Sequence, residues 1–227
     1  MPILADIPFA LDPPTLLRRA HLAPDSDDAA DFARLLRRAT EVGRPKAGYR
    51  EAFIDAKGDA TVTIAGITFR SRMLRDNLER AERVFPFLIT CGREMDTAAP
   101  PAEDFLHTFW WDLLKGELLS AARHHLAAHL DRCYLLPKTA TMSPGSGDAS
   151  VWPIEQQREL FALLGEVPQQ IGVELTDSFL MIPNKTVSGI RFATESDFRS
   201  CQVCQRPVCP NRVAGFDQAL WDSIQHD

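Results

Sequence analysis

The sequence predicts an α+β fold: a twisted, mainly antiparallel sheet with helices packed on it. Three observations lead there. Strand-like and helix-like stretches do not alternate in the regular way that a doubly wound parallel sheet requires. Runs carrying Val62, Ile64 and Ile67 are punctuated by Lys57-Gly58-Asp59, the composition of strands joined by tight turns. One long stretch carries apolar residues at three- and four-residue spacing, which marks a single long helix.

Taken in order, residues 1–26 are proline-rich and read as an irregular arm with one short helical turn near 15–20. Asp27 and Asp28 are the expected caps of a helix over 27–42, whose Phe32, Leu35, Leu36 and Ala39 share a face and which Gly43 and Pro45 end. Strands are expected over 49–55 and 60–69. Ser71 then caps a helix over 72–83. Residues 84–90 (VFPFLIT) fit a buried strand, with Pro86 pointing to an edge or a bulge. The long helix runs over 103–130, with Leu106, Trp110, Leu113, Leu114, Leu118, Ala121, Ala122 and Leu126 in register. Gly116 in its middle suggests a close backbone approach. A strand over 132–141, a helix over 153–164, strands over 171–182 and 185–192, and a last helix over 216–224 complete the reading.

A chain of 227 residues holds one generous domain or two small ones and buries a real core. A net charge of −6 argues against gripping nucleic acid or an anionic membrane through a general positive field. No stretch reaches the roughly 18 uninterrupted apolar residues of a membrane span. The N-terminus is short on positive charge and broken by prolines, unlike a secretory signal, so a cytoplasmic location is expected. Five cysteines in that setting read as metal or redox ligands rather than a disulfide framework.

The stretch IGVELTDSFLMIPNKTVSGIRF at 171–192, preceded by SPGSGD at 143–148, resembles the activation domain of cobalamin-dependent methionine synthase. The matching residues are Pro144, Gly145, Ile171, Gly172, Leu175, Thr176, Ser178, Phe179, Met181, Pro183, Val187, Ser188 and Gly189. The resemblance implies the fold of that domain over 27–195, with a cysteine-rich loop and helix over 196–227. It implies S-adenosylmethionine in a shallow groove at Ser143, Pro144, Gly145, Ser146 and Gly147, and a corrinoid protein or methyltransferase as partner, with an electron donor. The Pro-Gly pair independently favours a type II turn with Gly145 at the position needing positive φ, which brings bare backbone close to a ligand. Thr141 stands where the family has Arg, and Ser146 where it has Tyr.

Cys201, Cys204 and Cys209, spaced Cys-x2-Cys-x4-Cys and followed by Pro210, form a second candidate site. The cluster is absent from the methionine synthase domain and is similar to the C-terminal motif of its small stand-alone relatives. Three thiolates leave one position for Cys91, Cys133, a histidine, another chain or an outside ligand. An iron–sulfur cluster, a zinc knuckle and metal-free thiols all fit the spacing. Arg199, Arg206 and Arg212 beside them would favour thiolates and temper the charge of a cluster.

Other features read mainly as structure. His125 and His129 share a helix face with His124 beside it, but no metalloprotease glutamate accompanies them. Cys91 is expected as a small core residue, and Trp110-Trp111 as core and margin. Glu94, Asp96 and Asp148 are carboxylates available to a ligand cation. No Walker loop, dinucleotide fingerprint or nucleophile elbow is present. The expected function is an accessory protein that reactivates the corrinoid of a cobalamin-dependent methyltransferase. The alternatives are a non-catalytic docking module and a stand-alone methionine synthase component.

Overall fold

A computed structural model describes residues 1–148, 151–209 and 212–225. β1 (Ile3–Leu4) is followed by α1 (Pro13–Arg19) and α2 (Asp27–Val42), then by β2 (Lys46–Tyr49), β3 (Ala52–Lys57), β4 (Thr61–Ile64) and β5 (Ile67–Arg70). The short α3 (Arg72–Asn77) leads into β6 (Arg83–Thr90), α4 (Glu94–Thr97), the long α5 (Phe105–Tyr134) and β7 (Thr139–Met142). α6 (Gln157–Leu164), α7 (Val167–Ile171), the small hairpin β8 (Glu174–Leu175) and β9 (Met181–Ile182), β10 (Thr186–Ala193) and α8 (Gln218–Gln225) follow.

Among the described residues every strand pair is antiparallel, as the α+β reading expects. β6 is the spine. β10 pairs with it from Thr90 to Val84 on one side, and β2 and β3 share the other side end to end. Seven of its eight residues are buried, because both faces are covered. Val84 and Leu88 pack toward α6 and α7, whereas Phe85, Phe87 and Ile89 pack toward α5.

Pro86 therefore sits in a central strand, not at an edge. It lies where β2 has ended and β3 has not begun, and its carbonyl accepts from Arg50 N at 2.9 Å. A residue's N–H and C=O point to the same side of a strand, so the missing donor faces the gap between the two partner strands. Pairing with β10 loses nothing, since Pro86 stands opposite Ile190 there. The interruption belongs to the neighbouring strands.

Helix ends differ from expectation for local reasons. Ser26 caps α2, its Oγ accepting from Ala29 N at 3.1 Å; Asp27 and Asp28 occupy the first turn, where carboxylates suit the helix dipole. Residues 60–69 are two strands, folded at Ala65-Gly66, both with positive φ. The helix that Ser71 caps stops at Asn77, and Arg83, expected at its end, opens β6. The region 132–141 divides between the end of α5 and β7, with Leu135 in the left-handed region between them. Residues 171–182 hold the end of α7 and the small hairpin in place of one strand. In the N-terminal arm, Ile7 and Leu16 are buried and β1 pairs with β2.

Leu106 is half exposed, whereas Trp110, Trp111, Leu114, Leu118, Ala122, Leu126 and Leu130 form the buried face of α5. Gly116 makes no close approach: a Cβ there meets nothing within 4 Å. Its glycine only weakens the helix, so Gly116→Ala should stabilise the protein by about 0.4–1 kcal/mol, read as a raised urea midpoint with unchanged slope.

Candidate functional site

The site grows from the end of β7. Ser146 N donates to Ser143 O at 3.1 Å, Pro144 takes the second position and Gly145 the third with φ of 74°, so the type II turn expected from the Pro-Gly pair is present. The turn is pinned from below: Gly145 N donates to Trp152 O at 2.8 Å, and a Cβ on Gly145 would lie 3.0 Å from Ile154. Pro144 is buried while Gly145 and Ser146 are exposed, leaving their backbone open to a ligand.

Its support is a set of buried polar contacts on the α6 side of the sheet. Ser71 Oγ donates to Val151 O at 2.6 Å and also caps α3. Gln156 accepts from Arg70 N at 2.7 Å and donates to Arg70 O at 2.5 Å, fixing the 3-10 turn Ile154–Gln156 to β5. Ser188 Oγ donates to Gln157 Oε1 at 2.7 Å. Gly189 follows, and a Cβ there would stand 2.6 Å from Ser143 Oγ and 2.7 Å from Met142 O. The Val-Ser-Gly motif thus holds α6 with its serine and admits the turn with its glycine. The Val-Ser-Gly motif is legible in the sequence; Gln156 and Gln157 are not, because a glutamine beside an amphipathic helix carries no signal of burial, and Trp152 is hydrophobic without a pattern that places it under the turn.

The cysteine loop borders this turn. Gly147 has φ of 92°, and a Cβ on it would come within 3.0 Å of Ser200 O and 3.4 Å of Val203. Val203 is fully buried at the end of the 3-10 turn Ser200–Val203, which carries Cys201. Cys201, Cys204 and Cys209 are partly exposed free thiols, and Pro210 lies outside the described residues. Among the described residues no three His, Cys, Asp or Glu side chains converge into a group that could hold an ion. The other cysteines pack elsewhere. Cys91 is buried with Phe32, Trp110 and Leu118, and burial pushes its thiol up to about 12. Any stability it contributes is complete below the ordinary thiol range and is lost as pH rises from there toward 12. Cys133 is exposed on the last turn of α5, 3.6 Å from His129 Nε2.

The remaining candidates are engaged in structure. His129 meets Tyr49 Oη at 3.0 Å; burial, with Arg132 and His125 nearby, lowers its pKa. Glu94 pairs with Lys46 at 2.7 Å. Asp96 pairs with the buried Lys115, which also meets Asn184 in the loop before β10. Trp111 Nε1 donates to Met95 O at 2.7 Å. Thr141 is exposed opposite Arg191, whose guanidinium is bound to Asp131 and Thr139 on the α5 side of the sheet. A groove of about 1150 Å³ lies between α3 and residues 193–198, floored by Met73 and Phe198 and rimmed by Arg80, Lys138 and Asp197. Gln202 of the cysteine loop lines it, but the Pro-Gly turn does not.

The turn, its glutamine-braced platform and the Val-Ser-Gly strand all lie in one span of chain. Residues 135–206 match the vitamin B12 dependent methionine synthase activation domain. The matched span contains Cys201 and Cys204 and ends before Cys209 and Arg212. The chain is also similar in fold to a solved structure, the MetH reactivation domain bound to AdoHcy. The TM-score is 0.56 at 17% identity, covering 84% of this chain and 72% of that one. That likeness extends the activation-domain fold well beyond 135–206. No curated protein matches the chain. Among the described residues no helix is long and apolar enough to cross a membrane.

Proposed function

We propose that the chain is a reactivation protein for a cobalamin-dependent methyltransferase, and that it binds S-adenosylmethionine against Ser143, Pro144, Gly145, Ser146 and Gly147. The observation that carries this reading is the type II turn with exposed Gly145 and Ser146, inside the span that matches the activation domain. The solved structure of similar fold holds AdoHcy, the product that methyl donation would leave. The partner's corrinoid would take a methyl group from adenosylmethionine and one electron from a donor protein. This chain's part is to hold the nucleoside ligand beside that partner.

Titration calorimetry with AdoHcy tests the binding step. Micromolar binding in the wild type, lost in Gly145→Val, supports the reading; no binding at millimolar AdoHcy overturns it. The docking-module alternative is favoured by Thr141, which lies on the α5 side and brings no guanidinium to the turn. It predicts complex formation with a corrinoid protein that is indifferent to AdoHcy. Iron or zinc at Cys201, Cys204 and Cys209 is the reading that their Cys-x2-Cys-x4-Cys spacing suggests. Metal and sulfide analysis of anaerobically purified protein distinguishes an iron–sulfur centre from zinc and from free thiols. Zinc together with homocysteine-dependent methyl transfer would support the stand-alone methionine synthase component instead.

A further inference from the structure

We propose that Arg212 is a positioning residue that holds the cysteine loop, and through it the wall of the candidate ligand site. Its Nη1 donates to Cys201 O at 3.2 Å and to Ala214 O at 3.4 Å, and its Nη2 donates to Cys204 O at 3.3 Å and to Arg206 O. Its own backbone N–H donates to Cys209 O at 3.2 Å. One residue therefore bonds the carbonyls of all three cysteines. A guanidinium suits this task because its five N–H groups are fixed in a planar fork, so several carbonyls are met by one side chain whose geometry is already set.

The loop so held is the one that meets the turn. Cys201 lies between Ser200, whose carbonyl abuts Gly147, and Val203, which is buried beside it. Asp217 N donates to Gln202 O at 2.8 Å, tying the same segment to the start of α8. Arg212 and Cys204 also wall a hollow of about 370 Å³ with Arg206 and Phe216. In this arrangement one residue bonds the backbone of all three cysteines, and Ser200 stays against Gly147 as long as Arg212 keeps its bonds.

The ligand half of this inference rests on the proposed binding of AdoHcy at residues 143–147; the loop half does not. The test uses the full chain, reduced and treated with chelator, as wild type, Arg212→Gln and Arg212→Lys. Alkylation of each cysteine is followed by mass spectrometry, with exposed Cys133 as internal reference, and AdoHcy affinity is measured on the same samples. Arg212→Gln should raise alkylation at Cys201 and Cys204 by about ten-fold and weaken AdoHcy by a similar factor. Arg212→Lys, which keeps the charge and some of the bonds, should recover part of both. Unchanged alkylation in Arg212→Gln overturns the proposal. Faster alkylation with unchanged AdoHcy affinity overturns the link between loop and ligand. Failure of the wild type to bind AdoHcy refutes the ligand reading and with it that link, and the alkylation arm then decides the role of Arg212 by itself.

Discussion

Trp152→Ala is expected to destabilise the protein by about 3–5 kcal/mol and to loosen the Pro144-Gly145 turn. Trp152 is completely buried, packs edge-on against Phe69 at 5.9 Å between centroids, and accepts the Gly145 amide on its carbonyl. Removing the indole empties the space beneath the segment on which the turn rests. The indole Nε1 is buried and has no hydrogen-bond partner among the described residues. Trp152→Phe keeps a ring against Phe69 and should cost about 1–2 kcal/mol, well below the alanine variant. Guanidinium unfolding monitored by far-UV circular dichroism separates the two. Equal losses in both variants would overturn the expectation that a ring against Phe69 keeps most of the packing.

Gly189→Ala is expected to cost about 2–3 kcal/mol through overpacking, although it adds one methyl group to a β-strand. The added Cβ would meet Ser143 Oγ at 2.6 Å, Met142 O at 2.7 Å and Phe87 Cζ at 3.0 Å. The serine hydroxyl can be removed and the phenylalanine ring can shift, but the carbonyl is backbone paired within the sheet. Ser143→Ala in the same chain should therefore restore part of the loss, with a coupling of about 0.5–1 kcal/mol in the double-mutant cycle. An additive cycle would mean that Met142 O alone sets the cost. Under the proposed ligand reading, AdoHcy affinity should fall further than stability alone requires, because the turn moves with the strand.

The long helix was legible because its apolar spacing persists over many turns, and α5 extends only a few residues beyond the expected span. The turn was legible for a local reason: Pro-Gly restricts two backbone torsions whatever surrounds it. Strand breaks were less so. Residues 60–69 read as one strand because their β-branched composition is continuous, and only the Ala65-Gly66 turn folds them into a hairpin. Pro86 misled in the opposite direction, since its missing donor is harmless only if partner strands leave a gap at that point, and no residue near Pro86 records that gap.

The cysteine spacing likewise stated a possibility without its geometry. It placed three thiols near one another in sequence, while the conformation of their loop depends on the carbonyl bonds of Arg212. Its place in the sequence makes that arginine a candidate counter-charge for thiolates; the fold adds that its guanidinium binds backbone carbonyls.

By itself the sequence determined the α+β class, the long helix, the type II turn and the resemblance carried by residues 143–148 and 171–192. Each depends on periodicity, on torsional preference or on residue order, all of which act over short stretches of chain. Only the tertiary structure decided that β6 is central despite Pro86, that Gly116 approaches nothing, and that Gly189 and Gly147 are the points where Ser143 and the cysteine loop come close. Those facts are distances between segments far apart in the chain, set by how one sheet packs helices on both faces, and no local preference encodes them.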